Sequence, residues 1–221
     1  MKEEKTLLLI DSYALIFRAF YAFPPTLTDK NGVQINAVYG FASLLLEVLL
    51  KFKPTHVIAI MDSDKPTIRS QDYTQYKANR KETPEGFSIQ IPKVKELLDR
   101  FDIPILSVDG YEADDVIATI DNIHSGKWAK TIVVTGDKDL FQLVDEDTFV
   151  YLAGSSFSQS KLYNFEMVKE KMGVTPNQIP DYKGLSGDPS DNIPGVAGIG
   201  PKSAVELLNK YETLDNIYKN I

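Results

Sequence analysis

The chain has no cysteine, which removes disulfides and thiolate-held zinc from consideration. Its two histidines, His56 and His124, are too few and too far apart in sequence to build an imidazole metal site. No apolar run approaches the ~20 residues that a membrane-spanning helix needs. The start, Met1-Lys2-Glu3-Glu4-Lys5, runs straight into a strand-like segment, so no signal peptide is expected and a cytoplasmic protein is. Positive charge is also scarce: 24 Lys and Arg stand against 31 Asp and Glu, for a net charge of −7. That balance at first argues against nucleic acid, whose phosphates attract basic surfaces. Its distribution reverses the argument. Nine of the acids gather in a few short motifs, and the other 22 face 24 basic residues, so cations bound at the motifs would leave a mildly basic surface.

What is present is an ordinary globular composition. With 221 residues, 43% hydrophobic and 25% charged, the chain can bury a core in one domain or one and a half. Residues 6–10, 55–61 and 131–135 are short, apolar and rich in Ile, Val and Leu, as buried parallel strands are, and 104–108 is a weaker fourth. Between them, 37–52, 93–101 and 114–123 repeat their apolar residues at helical spacing. This alternation predicts an α/β fold with a mostly parallel central sheet flanked by helices. Residues 65–86 form a polar, basic and aromatic stretch too long for an ordinary βα connection. Beyond about Tyr163 the strands stop and short helices with Gly and Pro punctuation follow. The expected division is a core over 1–162, with its insertion at about 65–86, and a helical subdomain over 163–221.

In open parallel sheets, ligands bind beyond the carboxyl ends of the strands. The first strand runs into Asp11, the second into Asp62 and the third into Asp137 and Asp139, while 104–108 leads to Glu112, Asp114 and Asp115. All should lie on one edge of the sheet. A single Asp after a strand is more often a helix cap, and Asp114 and Asp115 would suit a helix's first turn. Acids at four separate strand ends are harder to explain as caps. Packed together as bare anions they would repel. Either several take up protons or hard cations hold them together. Oxygen-only donors point to Mg²⁺ or Mn²⁺, and two such ions ~4 Å apart would polarise a phosphate, activate a water and stabilise a leaving oxygen.

Arg69, Tyr73, Tyr76, Lys77 and Arg80 are spaced to line one face of a helix, and cations interleaved with rings suit a single-stranded nucleic acid. The plain alternative is a solvated helix with its tyrosines tucked inward. Near the C-terminus, Ile193 to Lys202 joins two helical segments through Gly195, Gly198 and Gly200. Its backbone amides, with Lys202 beside them, could hold a DNA phosphate. Alone, such a turn is usually just a connection.

Several motifs taken together resemble the 5′-nuclease domain of bacterial DNA polymerase I, a member of the flap-endonuclease family. They are Leu9-Ile10-Asp11-Ser12 with Arg18 soon after, Ala37-Val38-Tyr39-Gly40-Phe41, Tyr76-Lys77-Ala78-Asn79-Arg80, Gly110-Tyr111-Glu112-Ala113-Asp114-Asp115, Gly136-Asp137-Lys138-Asp139, and Gly187-Asp188-Pro189-Ser190-Asp191-Asn192. The resemblance spans nearly the whole chain in order. It implies a PIN-like or flap-endonuclease-like fold with a helical arch and a C-terminal helix–two-turns–helix. Asp11, Asp62, Glu112 and Asp114 match positions around a first metal. Asp137, Asp139, Asp188 and Asp191 match those around a second, and Asp115 matches an acid at or just behind the ligands. Lys77 and Arg80 match residues that touch the scissile phosphate. Arg18 could act likewise or be a surface arginine. Arg69, Tyr73 and Tyr76 would orient or stack DNA, and Gly198, Gly200 and Lys202 would grip duplex backbone, with a monovalent cation such as K⁺ held nearby. The implied substrate is DNA with a 5′ single-stranded end or flap at a duplex junction, or an RNA primer on DNA, bound by a monomer with a polymerase fused or separate. The family's domain continues through further helices, so the chain looks shortened at its C-terminus. Weaker readings are a strand-end Asp phosphatase, which Ser12 and Tyr13 after Asp11 disfavour, a toxin-like RNase, and a domain that binds DNA ends without cutting them.

Overall fold

The computed structural model describes residues 5–80, 83–124, 126–154 and 159–220. In chain order its elements are β1 (Thr6–Asp11), α1 (Ser12–Ala22), α2 (Asn36–Phe52), β2 (His56–Ile60), α3 (Ile68–Asp72), α4 (Ile91–Arg100), β3 (Ile105–Leu106), α5 (Ala113–Ile123), β4 (Lys130–Thr135), β5 (Thr148–Leu152), β6 (Lys161–Tyr163), α6 (Phe165–Met172), α7 (Ile179–Ser186), α8 (Pro201–Tyr211) and α9 (Leu214–Tyr218). The described strands form one sheet in the order β3-β2-β1-β4-β5-β6, parallel throughout except for β6. After β1 the chain builds outward through β2 and β3, then returns to lay β4 and β5 on the other side. This reversal opens a crevice at the carboxyl ends of β1 and β4, where α/β sheets bind ligands.

Strand alternation sends Leu8 and Ile10 to one face, where they pack with Ile132, Val134, Phe41, Leu45 and Leu98 beneath α1, α2 and α4. Leu7 and Leu9 face the other way, into a core shared with Val133, Ile117 and Phe141. That second core continues without a break into Leu185 of α7, Leu208 of α8 and Ile217 of α9. The C-terminal helices therefore complete one face of the sheet. A helix with an apolar stripe is stable only when that stripe is covered, and here the sheet and the C-terminal helices cover each other.

The three strong strands and three helices form within a residue or two of their expected bounds. Of 104–108 only Ile105 and Leu106 pair, on the edge beside β2. β5 and β6 are additions that the sequence reading lacks. The insertion departs most. Only Ile68–Asp72 is helical, and residues 74–79 are turns closed by Tyr76 N–H to Tyr73 O at 2.9 Å and Ala78 N–H to Gln75 O at 3.1 Å. Lys77 adopts a left-handed φ of 56° and donates its amide to Asp191 O at 2.9 Å instead of to its own helix. The single helical face expected for 69–80 does not form. Residues 81 and 82 of the insertion lie outside the described residues. Its return end is pinned by buried Gln90, whose Oε1 accepts from Ala37 N at 2.9 Å and whose Nε2 donates to Gly86 O at 2.9 Å.

Leu208 tests the shared core. Leu208→Ala should cost about 2–5 kcal/mol and lower the melting temperature by on the order of 10 °C. Fluorescence of Trp128, which packs against the same core, should report the full shift. An unshifted Trp128 transition would mean that the helices fold independently of the sheet.

Candidate metal centre

Asp11 ends β1 and caps α1, its Oδ1 accepting from Ala14 N at 3.4 Å. Thr135 at the end of β4 donates its hydroxyl to Asp11 Oδ2 at 2.6 Å, and the same hydroxyl accepts from Asp137 N at 2.9 Å. One threonine thus ties both central strand ends together. Burial raises the Asp11 carboxyl to about 7, against the Thr135 hydrogen bond and with help from Asp62 and Asp137. Asp62, past β2, accepts from Ala113 N at 2.7 Å, which fixes the start of α5. Glu112 and Asp115 form a reciprocal cap there, with Glu112 N–H to Asp115 Oδ2 at 3.2 Å. Burial raises the Asp114 carboxyl to about 6, followed by repulsion from Asp115 and Glu112.

The third group comes from two further segments. Asp137 Oδ1 accepts from Asp139 N at 2.9 Å. Asp188 and Asp191 sit on the loop after α7, closed by mutual backbone bonds between Asp188 and Ile193 at 2.9 Å. Gly187 (φ 79°) and Gly195 clasp the base of this loop. A Cβ on Gly195 would lie 2.5 Å from Gly187 N, so only glycine permits the approach. One carboxylate oxygen from each of Asp139, Asp188 and Asp191 lies within 4.8 Å of the others, a separation that one cation can bridge. Asp137 stands outside this trio, and among the described residues Asp11, Asp62, Glu112 and Asp114 do not converge as tightly. They share the rim, not a ligand-distance cluster.

Basic side chains cover the acids. Arg69 pairs with Asp115 at 2.5 and 2.7 Å and reaches Glu112 at 3.3 Å. Lys77 Nζ donates to Glu112 Oε1 at 2.7 Å, and Arg80 to Asp191 Oδ1 at 2.7 Å. The Tyr76 hydroxyl lies 2.9 Å from Glu112 and 3.2 Å from Asp191. Burial and the adjacent Glu112 push that phenol well above its ordinary range, so it remains a donor. Four of the five residues expected on one helical face therefore meet the acids without the helix. The fifth, Tyr73, donates to Asn192 O at 3.4 Å.

Lys183 on α7 is a member that sequence reasoning missed. Its Nζ hydrogen-bonds Asp139 and lies 2.6 Å from Asp188. Burial alone would raise the Asp188 carboxyl, but the Lys183 and Ser190 hydrogen bonds hold it at about 2. Burial and then Asp137 push Asp139 up to about 6 despite Lys183. Arg18 is not among the acids: its Nε donates to Gly154 O at 2.7 Å, beside a cavity of about 280 Å³ also lined by Leu15, Phe23 and Leu44. Gly198 has a φ of 85° and open space around it, Gly200 caps α8 and Lys202 is exposed in its first turn. The residues fit hard divalent cations: every donor is a carboxylate oxygen, and burial holds Asp11, Asp114 and Asp139 above the usual carboxylate range, which a cation beside them would reverse.

A parallel sheet with an acidic crevice at its switch point, a basic insertion over it and a helical module against one face defines an acid-lined α/β domain of nuclease type. The chain belongs to the 5′-3′ exonuclease family: residues 6–173 match that family's N-terminal resolvase-like domain and residues 174–221 its C-terminal SAM fold. It is 44% identical over 217 residues to DNA polymerase I of Caldicellulosiruptor bescii, covering 97% of this chain and 25% of that one. To a 5′-3′ exonuclease of Aquifex aeolicus it is 40% identical over 216 residues, covering 98% and 73%. The chain spans about a quarter of the length of the DNA polymerase I relatives it matches. The zinc-bound 5′-exonuclease of T5 shares the fold, with a TM-score of 0.78 at 21% identity over 98% of this chain and 79% of that one. So does the bacteriophage T5 flap endonuclease in a pseudo-enzyme–product complex with DNA and metal ions, at 0.76 and 20% over 98% and 79%. Among the described residues no helix is long and apolar enough to cross a membrane.

The raised carboxyls set a pH dependence for the cation-free protein. Asp11, Asp114 and Asp139 bind protons more tightly folded than unfolded, so they stabilise below about pH 4, and that contribution is lost as pH rises through 6 to 7. Asp188 acts oppositely, but only below about pH 4. In chelator the melting temperature should fall between pH 5 and 8 by on the order of 5–10 °C. Millimolar Mg²⁺ should flatten the fall. An equal fall with and without Mg²⁺ would rule out cation neutralisation of these acids.

Proposed function

We propose that the chain hydrolyses a phosphodiester bond near the 5′ end of DNA, at the junction between duplex and a 5′ single strand. The observation that carries this reading is the convergence of acids from β1, β2, the start of α5, the end of β4 and the 187–195 loop on one rim. In the proposed assignment, Asp11, Asp62, Glu112 and Asp114 hold one Mg²⁺ (or Mn²⁺), with Asp115 behind them, and Asp137, Asp139, Asp188 and Asp191 hold a second. Bound there, divalent ions supply Lewis acidity and a charged clamp on phosphate oxygens.

The chain's own residues position the substrate. Lys77 and Arg80 now spend their charge on Glu112 and Asp191. A phosphate at the rim offers both cations an alternative anion, and turning to it places them on the oxygens where negative charge develops. Arg69, Tyr73 and Tyr76 lie on the same segment, where a single strand could stack on the rings. Arg18, beside the turn at Gly136, is within a side-chain swing of that rim and is assigned to phosphate only on the resemblance. The Gly198–Gly200 turn and Lys202 take duplex backbone without reading sequence, and a monovalent cation such as K⁺ is assigned to the same turn. The helical module is assigned to 163–221. The work in the cell is primer removal and repair in the cytoplasm by a monomer, on DNA or on an RNA primer annealed to it, with polymerase activity in further sequence or a separate protein.

A 5′-labelled flap oligonucleotide tests the reading. Cutting should need Mg²⁺ and stop in chelator. Asp114→Asn and Asp137→Asn should each slow it by at least about 100-fold, while flap binding measured in Ca²⁺ stays within a few-fold of wild type. Undiminished cutting by either variant, or cutting in chelator, would overturn the assignment.

A further inference from the structure

Resting on the reading of Asp139, Asp188 and Asp191 as a divalent-cation site, we propose that the Lys183 ammonium is that site's resident counter-cation, which an incoming divalent ion must displace. Two of the three carboxylates that come within 4.8 Å of one another share this single ammonium. The third, Asp191, is held separately by Arg80.

The acids are the fixed partners in this arrangement. Asp188 accepts from Ser190 N at 2.9 Å and Ser190 Oγ at 2.5 Å, on a loop whose base the two glycines clasp. Asp139 opens a short 3₁₀ segment whose Leu140 and Phe141 are buried. Lys183 lies in the last turn of α7 and reaches the acids on a flexible four-carbon stem, with 27% of its side chain exposed. It can leave without moving backbone. A cation bridging Asp139 and Asp188 needs the carboxylate oxygens that the ammonium now occupies, so ion entry and lysine release are one exchange. The cluster keeps a neutralising charge throughout, which avoids three close anions at any stage. The ion is then held more weakly than three carboxylates would hold it unaided. The freed ammonium stays at the rim, where a phosphate would give it a new partner. DNA should therefore tighten the ion, and the ion should tighten DNA, through Lys183.

Mn²⁺ binding to the DNA-free chain, followed by the electron paramagnetic resonance of free Mn²⁺, tests this without reference to cutting. Lys183→Gln should bind the weaker of the two ions roughly tenfold more tightly than wild type, and Lys183→Arg should remain near wild type. In chelator Lys183→Gln should melt below wild type and recover more on adding Mn²⁺. A variant that folds only with Mn²⁺ counts as the same result. Equal Mn²⁺ affinities in wild type and Lys183→Gln would overturn the exchange while leaving the metal assignment standing. No Mn²⁺ binding by either, matching Asp188→Asn, would remove the metal site and the exchange together.

Discussion

Repulsion among carboxylates at one sheet edge is the constraint around which this molecule is organised. Parallel strands deliver Asp11, Asp62 and Asp137 to the same rim whatever the other residues do, because the strand ends lie side by side. Such a rim is stable only when protons or cations offset its charge. Here Arg69, Lys77, Arg80 and Lys183 meet it, reaching in from the insertion and from α7. Without those pairs the insertion would have little reason to lie over the crevice, since its short helix buries no residue.

The same pairs make the cover removable. Most of the paired cations are partly exposed, and exposed ion pairs hold weakly. The backbone bond from Lys77 to Asp191 and the Asn192 side-chain bond to Gln75 O at 2.8 Å add a few contacts, but no buried apolar surface backs them. A segment attached chiefly by charge is displaced by stronger charge, which divalent ions and phosphates provide. The core beneath is held differently. Its two apolar layers lie beneath the charged rim and are held by packing, so the sheet keeps the acids in register independently of those ion pairs.

The sequence made most of the rim readable because Asp11, Asp62, Asp137 and the acids of 112–115 come after compact apolar runs, and strand direction then assigns them to one edge, whereas Asp188 and Asp191 follow a helix and are legible only through the motif shared with the family. It made the insertion's chemistry readable but not its shape. Spacings of four, seven, eight and eleven residues fit a helix, yet the residues reach the acids along a chain of turns. Tertiary hydrogen bonds to Asp191, Pro189 and Asn192 outcompete the local helical ones, and no periodicity records that. β5 was hidden for a similar reason. Thr148–Leu152 follows the acidic run Asp145-Glu146-Asp147 and is only five residues long, yet β4 pairs with it along its whole length. β6 is three residues long, too short for any pattern to show.

Lys183 shows where motif reading stops. A lone lysine on a short helix resembles any solvated surface residue, and the neighbouring Gly187-Asp188 motif draws attention to the acids instead. Its position follows from helix geometry together with the glycine clasp. Lys183 and Gly187 are one turn apart, joined by Gly187 N–H to Lys183 O at 2.8 Å, and the clasp then turns the chain so that Asp188 folds back beneath the lysine stem. A Cβ at Gly195 would push this loop away from Gly187 and would part Asp188 from both Lys183 and Asp139. The glycines that look like a plain connection thus set the distance between the last carboxylates and the rest of the rim, so the acidic cluster depends on backbone packing as much as on its side chains.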